Sequence, residues 1–92
     1  MSEYSIVIAR KFKSDLKILN KRGFEISKLE RIVEILENGV MLPKNYKNHY
    51  LFGRYLGKME CHIEPDWLLV YEIDEKNKIL GLIRTGTHSD LF

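Results

Sequence analysis

The chain has 92 residues, enough for one domain with one core, so we expect residues 1–92 to form a single domain. Its composition, 45% hydrophobic and 30% charged, is that of a folded protein and excludes a disordered chain. No apolar run approaches the roughly 20 residues that cross a bilayer, and the N-terminus lacks the basic start of a signal peptide. With a single cysteine, Cys61, the sequence predicts a cytoplasmic protein without a membrane partner.

The net charge of +2 is unevenly distributed along the chain. Residues 1–58 hold twelve Lys and Arg against six Asp and Glu, whereas residues 59–92 hold three against seven. A basic portion beside an acidic one suggests a polyanion on one surface and a different contact elsewhere.

The first forty residues predict a strand followed by two helices. Residues 4–8 are rich in β-forming side chains and indicate the strand. The apolar residues that follow recur at helical spacing as far as Gly23, which ends the first helix. Another side of this helix carries a basic stripe of Lys13, Lys17 and Lys21. Ser27 and Glu30 form a capping box that predicts the start of the second helix, and Gly39 ends it.

The last third of the chain predicts three strands. Residues 58–64 alternate, 68–73 are apolar on both faces like a central strand, and 78–85 form the last strand. In the first of these, the inward residues are Met59, Cys61 and Ile63, and the outward residues are Lys58, Glu60, His62 and Glu64. The small polar residues 86–90 indicate a loop across the end of the sheet. The order β-α-α-β-β-β predicts an α+β fold, with two helices packed on one face of a mainly antiparallel four-stranded sheet and the other face largely open.

Residues 43–58 combine cations and aromatic rings without any acid. This pattern is typical of segments that hold a sugar-phosphate backbone and stack on bases. Its candidate RNA-binding residues are Lys47, Arg54 and Lys58. The alternative is a connecting loop whose aromatic residues close one end of the core.

Several residues that suit RNA chemistry fall near the C-terminus. They are His62, Asp66, Trp67, Arg84, His88 and Phe92. Structural roles are the alternatives: Arg84 could pair with Glu60 or Glu64 across the sheet, and Trp67 could belong to the core. His49, His62 and His88 are far apart in sequence and lack the spacing of a metal-ligand motif, so we predict neither a metal nor a cofactor.

Three segments together resemble a known family. They are Asn48-His49-Tyr50-Leu51, the run CHIEPDWLLVY at 61–71, and the run RTGTHSDLF at 84–92. With these segments in register, the chain resembles the YafQ-type toxins of bacterial toxin–antitoxin systems, in the RelE-like superfamily of ribosome-dependent endoribonucleases. The chain departs from these relatives at Met59, where they often have an arginine, and Lys58 is the neighbour that could replace a phosphate contact there.

This resemblance implies a RelE/ParE-like fold and cleavage of mRNA in the ribosomal 30S A site. It implies catalytic roles for His49, His62, Asp66, Arg84 and His88, with Trp67 and Phe92 as supporting or stacking residues. It also implies a cognate antitoxin as partner, with operator DNA bound only through that antitoxin.

The residue types favour metal-independent cleavage in which the RNA 2′-hydroxyl is the nucleophile. Histidine suits proton transfer near neutral pH, and the planar guanidinium of arginine suits the phosphate. Our hypothesis is that Arg84 holds the scissile phosphate, His88 is the acid, and His49 or His62, supported by Asp66, is the base. The alternative function is that of the ParE-like toxins, which inhibit gyrase by protein binding and lack this set of residues.

Overall fold

The computed structural model describes residues 2–92 and has eight helices and strands. In chain order they are β1 Ser5–Ile8, α1 Arg10–Lys21, α2 Ile26–Glu37, β2 His49–Tyr50, β3 Met59–Glu64, β4 Trp67–Asp74, β5 Ile79–Gly86 and α3 His88–Leu91. Two 3₁₀ turns, Lys44–Tyr46 and Gly53–Tyr55, flank β2. None of the helices within residues 2–92 is long and apolar enough to cross a membrane.

The strands form one sheet in the order β1-β5-β4-β3-β2. β1 is parallel to β5, and every other pair is antiparallel. The predicted α+β fold is therefore confirmed, with five strands in place of four. The additional strand, β2, has only two residues, and a segment that short shows no period in a sequence.

α1 and α2 cover one face of the sheet, as predicted, and enclose the main core. Buried side chains of this core include Phe12, Leu19, Leu29, Ile32, Cys61, Leu69, Tyr71, Leu80 and Leu82. Gly23 and Gly39 have positive φ just beyond the two helices, which confirms them as helix ends. The predicted capping box is wrong: α2 begins at Ile26 with Glu25 as its N-cap, so Ser27 already lies within the first turn.

The opposite face of the sheet, called the second face below, is not open. A smaller buried cluster lies there, formed by Tyr55, Leu68, Val70 and Leu91. Tyr55 comes from the turn before β3, and Leu91 comes from α3, a short helix where the sequence predicted a loop. A capping box between Thr87 and Asp90 starts this helix, and Leu91 fixes it to the sheet.

Trp67 belongs to the main core and not to a binding surface. Its side chain is 1% exposed and meets the ring of Phe24 edge-on at 5.1 Å. The indole Nε1 donates to Oγ1 of Thr85 at 2.9 Å. A ring enclosed in this way has no face left for a base, so the predicted stacking role of Trp67 is wrong.

Candidate active site

Cross-strand pairing lines up polar residues on the second face. His49 of β2 pairs with Glu60 of β3, which pairs with Val70 of β4. Val70 in turn pairs with Arg84 of β5. Directly paired residues project from the same face of a sheet, and Val70 lies in the cluster on the second face. His62, two residues after Glu60, points the same way.

A β-bulge at Ile83 sets the side on which Arg84 lies. Tyr71 pairs with Leu82, whereas the neighbouring Val70 pairs with Arg84, so one extra residue stands between the two pairs. Strict alternation from Leu82, which is in the main core, would turn Arg84 toward the helices. The extra residue moves Arg84 to the second face.

Glu60 is a buried acid between two of the histidines. Its Oε1 lies 3.3 Å from Nε2 of His49 and 3.8 Å from Nε2 of His62, and its side chain is 6% exposed. Its Oε2 is the single buried side-chain polar atom among residues 2–92 without a hydrogen-bond partner. The two imidazoles are therefore the polar groups that lie against this buried carboxylate.

A backbone carbonyl orients His49 as well. Its Nδ1 lies 2.6 Å from the carbonyl oxygen of Lys47, which can only accept a hydrogen bond. Nδ1 therefore donates to Lys47, and Nε2 is directed at Glu60. Lys47 itself has a positive φ of 50°, an uncommon conformation for a residue other than glycine.

Glu60 was not among the site residues predicted from the sequence. An acid at an outward strand position is ordinarily solvated, and the covering of the second face was not predicted. The one signal in the sequence is the spacing of Glu60 and His62, which places both side chains on the same face of a strand. That signal is weak. The contact between Glu60 and His49 follows from the pairing of β2 with β3, which places the two residues opposite each other.

Asp66 contacts His88 and neither of the other histidines. Its Oδ1 accepts the backbone N–H of His88 at 2.9 Å and lies 2.5 Å from the ring Nδ1. These hydrogen bonds from His88, the backbone one above all, lower the pKa of Asp66. The hypothesis that Asp66 supports His49 or His62 is therefore wrong, because the residue beside those rings is Glu60.

The three imidazoles lie in a row. The ring centroids of His49 and His62 are 6.1 Å apart, and those of His62 and His88 are 5.7 Å apart. Glu60 lies beside one end of the row and Asp66 beside the other. The fold thus brings together histidines that are 13 and 26 residues apart in the chain.

Arg84 pairs with an acid that the sequence did not suggest. Its Nε and Nη2 donate to the two carboxylate oxygens of Asp15 on α1, at 2.7 and 3.0 Å. The third nitrogen, Nη1, lies 3.3 Å from the hydroxyl of Tyr55. The hydrogen bonds that Arg84 donates to Asp15 raise the pKa of Arg84, which stays charged. The alternative pairing with Glu60 or Glu64 is not formed.

The predicted RNA-binding residues are on the surface around this row. Lys47 and Arg54 are exposed, whereas Lys58 pairs with Glu72 at 3.2 Å. Phe92 is 63% exposed, and its ring is nearly perpendicular to that of Tyr55, with the two centroids 5.7 Å apart. Met59 packs against the main core, so its side chain points away from the second face.

The cluster of His49, Glu60 and His62 also has the dimensions of a metal site. One ligand atom from each residue can be chosen so that all three lie within 4.8 Å of one another. Two imidazole nitrogens and a carboxylate oxygen suit Zn²⁺ or Cu²⁺. The prediction that no metal binds was based on the spacing of the histidines along the chain. That spacing does not exclude a site, because the pairing of β2 with β3 brings His49 close to Glu60 and His62.

The side chain of Asp90 helps to fix the short helix α3 that carries His88. The carboxylate of Asp90 accepts the backbone N–H of Thr87 and a hydrogen bond from Nη1 of Arg22, both at 2.9 Å. These contacts, the one from Thr87 above all, lower the pKa of Asp90. Gly86 allows the close approach, because a Cβ there would lie 2.9 Å from that of Asp90.

We therefore expect the anchoring of α3 to weaken in acid. A carboxylate with a lowered pKa stabilises the fold above its unfolded value of about 3.9, and this contribution disappears as the pH falls through the folded value. The difference in unfolding temperature between the wild-type protein and Asp90→Asn should be constant from about pH 7 to 5 and shrink below about pH 4. A difference that does not change with pH would contradict this role, and Glu30→Gln, an exposed acid of α2, is the matched control.

Comparisons with known proteins identify the family of the chain. Residues 4–92 match the family model described as a bacterial toxin of a type II toxin–antitoxin system, YafQ. The mRNA interferase toxin YafQ of Escherichia coli K12 is 37% identical over 93 residues, covering 100% of this chain and 99% of that protein.

Solved structures give the same result. The E. coli DinJ–YafQ toxin–antitoxin complex contains a chain that is 36% identical, with a TM-score of 0.88 and 98% of both chains covered. A metal-bound toxin from Helicobacter pylori is 43% identical, with a TM-score of 0.90, covering 97% of this chain and 99% of that one. Together with the family match, these comparisons confirm the resemblance found in the sequence. The chain belongs to the YafQ family of bacterial type II toxin–antitoxin toxins.

Proposed function

We propose that this toxin is a ribosome-dependent endoribonuclease that cleaves mRNA without a metal ion. The observation that carries the proposal is the row of three imidazoles with a carboxylate beside each end. Such a row supplies two proton-transfer groups within the dimensions of one phosphodiester. The relative in E. coli K12 bears the name mRNA interferase, which supports the same activity here.

The reaction needs three groups from the protein. A base removes the proton of the 2′-hydroxyl while that oxygen attacks phosphorus, and an acid protonates the 5′-oxygen as its bond to phosphorus breaks. A cation stabilises the charge that develops on the phosphate oxygens. The products are a 2′,3′-cyclic phosphate on the upstream fragment and a 5′-hydroxyl on the downstream fragment.

We assign His88 as the acid. Asp66 accepts from Nδ1, which fixes the orientation of the ring and leaves Nε2 to face the substrate. His49 or His62, in contact with Glu60, is the base. Arg84 supplies the positive charge from the same face of the sheet.

Membership of the family supports a proposal for the substrate and the partners. We propose that the toxin acts on mRNA in the 30S A site and that exposed cations such as Lys47 and Arg54 contact RNA. We also propose that a cognate antitoxin holds it inactive, as DinJ accompanies YafQ in the E. coli complex, and that operator DNA is bound only through the antitoxin.

Inhibition of gyrase by protein binding is the alternative function. Binding to gyrase would not require a buried Glu60 between two imidazoles, nor a His88 ring that is oriented by Asp66. The two functions are separated by measuring mRNA cleavage in a translating extract and DNA supercoiling by gyrase with the same toxin preparation. The nuclease proposal predicts cleavage and normal supercoiling.

Replacing His88 by alanine should remove most of the activity. Loss of a proton-transfer group typically slows a reaction by about 100- to 10,000-fold. Primer extension on ribosome-bound mRNA measures this loss. The control is Ser89→Ala, which alters the exposed neighbour in the same short helix and should cleave like the wild-type protein. Equal cleavage by His88→Ala and the wild-type toxin would refute the acid assignment.

Removing metal ions should leave cleavage intact, because the proposed steps use only side chains. Toxin treated with EDTA and assayed on mRNA-programmed ribosomes in defined Mg²⁺ should retain its rate. Added Zn²⁺ should inhibit, because an ion held by His49, Glu60 and His62 occupies the nitrogens that the base needs. Activity that is lost with EDTA and restored by Zn²⁺ would contradict metal independence.

A further inference from the structure

Arg84 lies in an unusual position for a residue that binds substrate. It is on β5 beyond the point where β1 ends, since the last pair between those strands is Ile8 with Leu82. The edge of β5 at Arg84 and Thr85 is therefore not covered by a strand. Asp15 of α1 fills this place and accepts the backbone N–H of Thr85 at 3.1 Å.

The same carboxylate holds the guanidinium. Both of its oxygens accept from Arg84, in the two-bond geometry that fixes the plane as well as the position of the group. The side chains of Asp15 and Arg84 are 11% and 17% exposed, so solvent screens this pair only weakly. Two of the five N–H donors of Arg84, that of Nε and one of Nη2, are thus used by Asp15 in this arrangement.

The remaining nitrogen is directed at Tyr55. The hydroxyl oxygen of Tyr55 accepts from Nη1, which leaves the hydroxyl hydrogen and the second N–H of Nη1 as donors. The ring of Tyr55 is buried in the cluster on the second face and contacts Phe92, so its position is fixed too. Two adjacent donors, one of them charged, match two oxygens of a phosphate.

We propose that Asp15 is the positioning residue of Arg84 and that Nη1 of Arg84 and the hydroxyl of Tyr55 together bind the scissile phosphate. This inference rests on the proposed nuclease function and adds two residues to it. Asp15 acts by holding the guanidinium rigid before RNA arrives, which keeps the donors in place as charge develops on the phosphate. It does not touch the substrate.

Asp15→Asn tests the positioning role. Asparagine keeps an oxygen for the N–H of Thr85 but loses the charge and the second acceptor for Arg84. We expect single-turnover cleavage of ribosome-bound mRNA to fall by about 100-fold, the size of effect that a misplaced group produces. Asp15→Glu, which restores the charge, should recover part of this loss.

A double-mutant comparison separates positioning from general stabilisation. If Asp15 acts only through Arg84, then Asp15→Asn should cause no further loss in an Arg84→Ala protein. Losses that multiply, and that follow the unfolding temperature of each variant, would show a merely structural role and overturn the proposal. Tyr55→Phe keeps the ring and should lower cleavage by about tenfold, the effect of one hydrogen bond to a charged group. Unchanged cleavage by Tyr55→Phe would remove Tyr55 from the phosphate site.

An NMR measurement tests the contact without relying on activity. The Nε–H of Arg84 is shielded by Asp15, so its proton should exchange slowly with water and give a resolved signal at neutral pH. Asp15→Ala, which removes both acceptor oxygens, should broaden or remove this signal, whereas Glu3→Gln, which loses a surface contact to Lys78, should not. A signal that is unchanged in Asp15→Ala would overturn the proposal, whether or not the toxin cleaves RNA.

Discussion

The register of the sheet is the constraint on which the rest of this site depends. His49, Glu60 and Arg84 belong to three strands, and the direct pairs through Val70 place them on one face. Because side chains alternate along a strand, a shift of one residue in any pair would turn its members to the opposite face. The bulge at Ile83 is such a shift, and it places Arg84 on the same face as the histidines.

Three acidic side chains contact the histidines and the arginine of the site. Glu60 lies between His49 and His62, Asp66 orients His88, and Asp15 holds Arg84. Each cationic or proton-carrying group therefore contacts a carboxylate, with Glu60 shared by His49 and His62, and the three carboxylates come from different parts of the fold. If the proposed nuclease function holds, an RNA phosphate would meet groups that folding has already oriented, so little free energy would be spent on ordering them in the transition state.

The features that could be predicted from the sequence are those with a clear period or a strong local pattern. The helical spacing before Gly23 and the apolar run in β4 predicted elements that the structure contains. β2 and α3 were missed because two and four residues are too few to show a period. The partners of Arg84 and Asp66 depend on how α1 and α3 dock on the sheet, which no local pattern reports. The segments shared with the family indicated that the three histidines lie together, which the structure shows. The position of Glu60 beside them could not be predicted, because it depends on the register between β2 and β3.

The central claim is that the toxin makes RNA attack itself, with the side chains moving protons. The most direct measurement is cleavage of ribosome-bound mRNA that carries a single 2′-deoxynucleotide at the cut position. The account predicts no cut at that position, and a 2′,3′-cyclic phosphate on the upstream fragment of the matched all-ribose mRNA. Cleavage of the deoxy-substituted mRNA at the same position and rate would show that water is the nucleophile and would contradict the account.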